Sequence, residues 1–415
     1  MTNEIKNVPE LRFPEFSSEW EENQLSKLTQ LLKDGTHGTH KDVENGAWLL
    51  SAKNIKNNNI IFDESDRKIS YDDYHKIYKN YQLQKNDLLL SIVGTIGRTA
   101  LVKDPINLAF QRSVAIIRFE NRLSNLFFLY LFQTHTFKKK LLRNQVVSAQ
   151  PGLYLGDLGK FFVNYPLNYK EQEKIGTFFN KLDRQIELEE QKLEKLEEQK
   201  KGYMQKLFSQ ELRFKDENGD DYPEWMETNI RNTFDNKGGT ALEKEFDNNG
   251  THKVISIGSY SMNSTYNEQN LRINKNEFTE KYLLNEGDLA MVLNDKTKEG
   301  NIIGKSIYID EDDKYIYNQR TERLIPVTGN NHKFLWYLMN SEQFRKKIKQ
   351  MMQGATQVYI NYNSIKDLSI YLPILEEQNK IENFLGYIFN IIKNQSDKVE
   401  LLKRRKKGFL QKMFV

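Results

Sequence analysis

The chain repeats itself, and that most limits what it can fold into. ELRF stands at Glu10–Phe13 and again at Glu211–Phe214. Each copy is followed by a Pro-Glu pair and a Trp: Pro14, Glu15 and Trp20, then Pro223, Glu224 and Trp225. Downstream, Tyr81–Leu88 (YQLQKNDL) matches Tyr282–Leu289 (YLLNEGDL), and Gln111-Arg112-Ser113 matches Gln319-Arg320-Thr321. Leu129-Tyr130-Leu131 matches Trp336-Tyr337-Leu338, and Phe137 with Lys138, Lys139 and Lys140 matches Phe344 with Arg345, Lys346 and Lys347. Gln150 falls opposite Gln357, Pro166 opposite Pro373, and Glu171-Gln172 recurs as Glu377-Gln378. The period far exceeds the roughly 20–50 residues of a solenoid repeat. Two duplicated domains, each with an appended segment, are expected.

Composition fits that reading. At 415 residues the length suits roughly two to three domains, and 12% aromatic residues can build real cores. The longest apolar run, Leu126–Phe132, is far below the roughly 20 residues of a membrane-spanning helix. The N-terminal MTNEIKNVPE has no apolar signal core. With no Cys, disulfides, thiolate metal sites and a Cys nucleophile are excluded. A cytoplasmic protein with no membrane partner is the expectation. The 61 basic against 57 acidic residues, net +4, permit nucleic-acid binding where positive charge clusters but do not argue for it.

Each copy holds two kinds of sequence. Short β-rich runs, Trp48–Ile55, Leu88–Ile96, Val114–Phe119 and Ile302–Ile309, are broken by Gly, Asn and Asp turns. A helical stretch follows, with Phe127, Tyr130, Leu131, Phe137 and Leu141 near helical spacing. This is an α+β globular pattern. After each Pro comes a long, charged, Pro-free stretch of high helix propensity. The expected boundaries are 1–167 and 210–374 for two α/β domains, and 168–209 and 375–415 for two long helices.

The helical segments carry heptad seams. Ile175, Phe179, Leu182, Ile186, Leu193, Leu196, Tyr203 and Leu207 alternate steps of four and three, interrupted by Glu189 and Lys200. Ile381, Leu385, Ile388, Ile392, Val399, Leu402, Phe409 and Met413 do the same, interrupted by Gln395 and Lys406. An antiparallel pairing that sets Glu189 opposite Lys406 also sets Lys200 opposite Gln395, Leu193 against Leu402 and Leu196 against Val399. A parallel pairing would oppose Lys200 with Lys406 as like charges. An intramolecular antiparallel coiled coil is therefore expected; the alternative is two amphipathic helices, each docked on its own domain.

No catalytic constellation stands out. His37 and His40, in DGTHGTH with Asp34, have metal-like spacing, but Gly35 and Gly38 make the segment a turn, and a loop contacting a ligand or DNA backbone fits better. GNIIGKS at Gly300–Ser306 has three residues between its glycines where a phosphate loop needs four. The basic runs Lys138–Lys140 with Arg143, and Arg345–Lys347 with Lys349, recur between copies. A single run reads as a solvated helix face; recurrence raises the case for phosphate contact.

Taken together, these motifs resemble the specificity subunit of type I restriction–modification systems. The features are ELRFPEF, YQLQKNDLLLS, Gln150-Pro151-Gly152-Leu153 and LPILEEQNKIENFL from Leu372 to Leu385, set in a duplicated chain. One departure is Gln357-Val358-Tyr359 where the first copy has Gln-Pro-Gly. The resemblance implies two target recognition domains, each reading half of a split double-stranded DNA site, on a coiled-coil spacer. It implies docking of two modification subunits that methylate adenine with S-adenosylmethionine, and through them restriction subunits that use ATP and Mg. This chain would supply sequence choice, with no catalysis and no cofactor of its own.

On that reading, candidate base readers are side chains with planar or bidentate ends: Lys53, Asn54, Arg67, Arg98, Gln111 and Arg112, then Asn294, Lys296, Gln319 and Arg320. Lys138, Lys139, Arg345 and Lys346 are candidate phosphate contacts. For each base reader an ordinary surface or turn role is the alternative. The rival functions are a two-domain coiled-coil scaffold for protein ligands, the recognition half of a different multisubunit restriction enzyme, and a standalone nuclease.

Overall fold

The computed structural model describes residues 7–146 and 151–415; Gln150, matched above to Gln357, lies outside them. The chain forms two compact units, one of residues up to Gln191 together with Ser396–Val415, the other Lys192–Gln395. Both have the same architecture.

In the first unit an antiparallel sheet orders Thr29–Asp34, Val114–Phe119, Leu88–Ser91 and Thr99–Leu101. A three-stranded sheet pairs Ala47–Leu50 antiparallel with Lys68–Ile69 and parallel with Leu108–Phe110. The second unit repeats this with Phe234–Gly238, Thr321–Pro326, Leu289–Val292 and Ser306–Tyr308. Its His252–Ile255 likewise pairs antiparallel with Arg272–Ile273 and parallel with Tyr315–Tyr317. Val114–Phe119 is a strand as expected, almost wholly buried, because an apolar run covered on both faces needs no alternation. Trp48–Ile55 is instead strand, then a 3₁₀ turn at Ala52–Asn54. In Ile302–Ile309 only Ser306–Tyr308 is extended, since Gly304 takes a left-handed turn (φ 68°) first. The expected single helix is two, Asn125–Leu131 and His135–Arg143, the second capped by the Thr134 hydroxyl accepting from Phe137 N–H.

Two repeated motifs turn out to be halves of one joint. Arg12 of the first ELRF donates to both oxygens of Glu171, at 2.7 and 2.8 Å. Trp20 Nε1 donates to the same carboxylate at 3.2 Å. Gln172 accepts from Ser124 N–H (2.8 Å) and donates to the Pro166 carbonyl (2.7 Å). In the second unit Arg213 and Trp225 bond Glu377, while Gln378 accepts from Asn331 N–H and donates to the Pro373 carbonyl. Glu171, Gln172, Glu377 and Gln378 are all at most 2% exposed. A buried carboxylate persists only with its charge and lone pairs matched, so the Glu-Gln start and the Arg-to-Trp opening have to recur together.

The long helices span Tyr169–Phe208 and Leu375–Lys412 and pack antiparallel. In the first unit Phe178 meets Phe409, and in the second Tyr203 meets Phe384. The register differs from the one expected from the polar layers. Lys406 pairs with Asp183 at 2.6 Å, not with Glu189, and Glu189 pairs with Lys398 at 2.5 Å. Lys200 lies over the Phe389 ring, 5.1 Å from its centroid, rather than opposite Gln395. The slip is about one heptad. Its cause lies at the helix ends. Met413 and Phe414 are buried in the first unit's core beside Trp20, Phe127 and Phe179, and Leu207 and Phe208 in the second unit's beside Trp225 and Phe334. Burying those four side chains, each worth roughly 1.5–3 kcal/mol, outweighs matching a few half-exposed polar layers.

Candidate nucleic-acid interface

The two sheets of each unit meet at loops laced by backbone hydrogen bonds. In the first unit Thr36 N–H donates to the Phe110 carbonyl, Arg112 N–H to that of Thr36, and Gln111 N–H to that of Leu50. The approach is so close that a Cβ on Gly35 would lie 2.1 Å from the Phe110 oxygen; one on Gly239 would lie 2.2 Å from that of Asn318. Gly35-Thr36 and Gly239-Thr240 are equivalent, since Gly35 N–H bonds the Val114 carbonyl as Gly239 N–H bonds that of Thr321, and glycine is required at both. The DGTHGTH loop thus sits beside Gln111. In it His37 Nε2 lies 2.5 Å from Asp34 Oδ2, and His40 bonds the Thr36 hydroxyl at 3.0 Å.

The same lacing corrects the Gln-Arg match. Gln111 N–H bonds the carbonyl of Leu50, the last residue of its strand; in the second unit Asn318, not Gln319, makes that bond, to Ile255. The Ser113 carbonyl accepts from Ile92 as that of Arg320 accepts from Leu293. Position by position, Gln111, Arg112 and Ser113 correspond to Asn318, Gln319 and Arg320. The identical letters are one residue out of step.

In the first unit Gln111 is half-buried and Arg112 exposed. Lys53 is exposed and bridged to Asp66 at 2.7 Å, and its hydrogen bond is the main cause holding the Asp66 carboxyl down at about 2. Arg67 ties Asp42 to the His40 carbonyl and braces the loop. Asn54 is a correction. It is 3% exposed, accepting from Ser51 N–H and donating to the Ile61 carbonyl. Its amide closes the 3₁₀ turn that a bound base would have to displace.

In the second unit Lys296, Gln319 and Arg320 converge on one 240 Å³ cleft with Glu243, Ser256 and Gly258. Asn318 and Gln319 both donate to Glu243, at 2.9 and 2.8 Å, lowering its pKa. Lys296 and Arg320 are exposed, and Arg320 takes a left-handed backbone (φ 67°). Asn294 is half-buried in a two-residue ladder with Tyr359.

The helical basic runs divide. Lys139 and Lys346 are exposed. Lys140 donates to the Phe162 carbonyl and Lys347 to that of Ser369, both at 2.8 Å, so this recurrence tethers a strand. Arg345 is a second correction. It is 9% exposed, bonds the Asn301 carbonyl at 3.0 Å, and is pushed down to about 10 by burial. Its helix buries this face against the Gly300 turn, away from any external phosphate. Arg98 and Lys138 share a 510 Å³ pocket with Lys56, which the sequence did not single out, and with Lys406, read there as a coiled-coil pairing residue and not as a DNA contact. The signal for Lys406 was its break in the heptad seam.

This duplicated architecture sets two like frames, each with its own loops, in one chain. The family model for the type I restriction modification DNA specificity domain matches residues 17–198 and 222–402, and the chain belongs to that family, carrying the domain twice. It is 28% identical to the type I restriction enzyme MjaVIII specificity subunit of Methanocaldococcus jannaschii, over 80% of this chain and 79% of that one. A shorter match, 29% identical over 38% of this chain and 33% of the relative, is to the EcoBI specificity subunit of Escherichia coli. The crystal structure of a type I restriction-modification S subunit from M. genitalium superposes with a TM-score of 0.62 at 14% identity, covering 98% of this chain and 99% of that one. Type I specificity subunits are non-catalytic, and this chain is one of them. None of its described helices is long and apolar enough to cross a membrane.

Proposed function

We propose that this chain reads an asymmetric, bipartite site in double-stranded DNA, one half per unit. It would dock two adenine-methylating modification subunits and, through them, restriction subunits. The observation that carries this reading is the equivalence just described. On frames of like topology, Gln111, Arg112 and Ser113 are replaced by Asn318, Gln319 and Arg320. A changed set of donors on an unchanged frame is what two different half-sites require. The paired helices would set the spacing between halves. S-adenosylmethionine, ATP and Mg would be bound by the partner subunits, in the cytoplasm.

The test is methylome sequencing of a methylation-free host expressing this chain with its neighbouring modification gene. Methylated adenines should appear in one split, asymmetric motif, and exchanging residues 210–374 for those of a relative should change one half only. Absence of methylation, with the modification subunit folded and bound, would favour a scaffold for protein ligands.

A further inference from the structure

The pocket around Lys406 explains why that residue interrupts an apolar seam. Four segments converge there: the hairpin carrying Lys56, the turn carrying Arg98, the helix carrying Lys138 and the C-terminal helix carrying Lys406. One carboxylate, Asp183, answers these four cations among the described residues. Its Oδ1 lies 2.6 Å from Lys406 Nζ, and its Oδ2 already accepts from Asn58 (2.7 Å) and Tyr130 (2.9 Å). The Arg98 side chain has one long hydrogen bond among the described residues, 3.5 Å to the Ile55 carbonyl. Lys56 and Lys138 have no ion pair among the described residues. Burial, and then the charge of Lys406, pushes the Lys138 amine down. Like charges facing an open 510 Å³ cavity repel one another, and an anion entering it would relieve that repulsion.

The second unit keeps the charge at three of these positions. Ser91 N–H bonds the Arg98 carbonyl as Val292 N–H bonds that of Lys305, so Lys305 answers to Arg98. Arg345 answers to Lys138 at the fourth residue of its helix, and Lys200 to Lys406 as the same break in its seam. There Arg345 Nη1 is buried with no hydrogen-bond partner. In the second unit Arg345 is buried and Lys305 and Lys200 are half-buried, so the open cavity of the first unit carries the case for an anion, and the part of DNA that is the same in every sequence, its backbone, suits a site apart from the Gln111–Ser113 loop.

We propose that the Lys56, Arg98, Lys138 and Lys406 pocket is an oxyanion site that holds one phosphate group of the DNA backbone. Arg98 supplies the planar donor fork, and Lys56 and Lys138 close on the remaining oxygens. The proposal rests on DNA being this chain's ligand.

The experiment measures duplex binding by the full chain with its modification subunit across a salt series. Lys138→Gln and Arg98→Gln are compared with Lys79→Gln, an exposed control, after thermal melts confirm folding. A second arm titrates each protein with inorganic phosphate and reads the melting temperature. Each pocket variant should flatten the slope of log K against log salt by about one, equally for specific and unrelated duplexes, and should lose the stabilisation by phosphate. Phosphate stabilisation that depends on Lys138, with an unchanged DNA slope, would overturn the backbone assignment in favour of a free anion. An effect confined to one sequence would make these residues base readers and overturn it too. Loss of neither property would overturn the site itself. Failure of the unmodified complex to bind any duplex would sink the DNA reading as a whole, with the phosphate arm judging the pocket separately.

Discussion

Lys406 and Lys200 hold the same place in the two copies, yet their surroundings differ in sign. Lys406 is 2.6 Å from Asp183 and lies over the Tyr130 ring, at 5.4 Å. In the second unit the residue matching Asp183 is Phe389, and Lys200 lies over its ring. Burial alone then pushes the Lys200 amine down, opposed weakly by Glu197. Duplication has therefore kept a residue while removing its counter-ion. The Arg–Glu–Trp joint shows the opposite behaviour, with every partner kept in both copies. A joint whose members are all buried loses several kcal/mol when one is removed, so its members cannot drift apart one at a time. A half-exposed lysine such as Lys200 can lose its acid at smaller cost.

The largest expected effect tests the sameness of the joint. Glu171→Ala and Glu377→Ala each strand a partly buried guanidinium and should each cost about 3–5 kcal/mol. Denaturant melts give the loss, and hydrogen exchange should confine it to the unit carrying the substitution. A variant that melts like the parent would show that its joint is not what holds the long helix.

Next come the reading loops, where the units should differ completely. Arg320→Ala should relax the base preference in one half of the methylated motif by about 1–3 kcal/mol, and Arg112→Ala in the other half only. Methylome sequencing of each variant reads this directly. Relaxation of both halves by one substitution would break the assignment of one half-site per unit.

These comparisons also show how far the sequence could be read. The duplication, the α+β copies and the antiparallel helix pair were all legible, because repeated motifs and heptad spacing are local signals. The helix register was not. It is set by Phe208 and Phe414 entering the cores, and a comparison of polar layers along two helices contains no term for that burial. The Gln-Arg match failed for a related reason: letters align by identity, whereas position is fixed by which carbonyl each N–H reaches. Asn54 and Arg345 have the right chemistry for DNA, but burial depends on the 3₁₀ turn and the Gly300 turn that cover them. Arg98, Lys138, Lys296, Gln319 and Arg320 gather at cavities, which their spacing in the chain could not show.

The two seam lysines give a comparison of sign. Lys200→Leu should stabilise the second unit by about 1 kcal/mol, since it removes a desolvated charge and restores the apolar seam. Lys406→Leu should destabilise the first by about 1–3 kcal/mol, because Asp183 loses its cation. Paired denaturant melts decide it, and equal signs would mean that Asp183 does not neutralise Lys406.

The smallest effect is a pH dependence that Lys305 gives the second unit. Lys305 is lowered from 10.5 to about 8, chiefly by burial and then by Arg345, Lys200 and Lys349. Between those values the unfolded chain holds its proton more tightly than the folded one, so stability from this group rises as pH climbs from 8 toward 10.5. Below pH 8 both states are protonated and the penalty of the buried charge is fully present. Lys305→Arg copies the residue at the matching position of the first unit and keeps its charge across this range. The melting temperature of the unmodified protein should therefore gain on that of Lys305→Arg between pH 7 and pH 9.5. The gain should be modest, since the amine is only partly buried. A difference between the two proteins that stays constant with pH would mean the Lys305 amine reaches water, and that the cations of the second unit are no more crowded than those of the first.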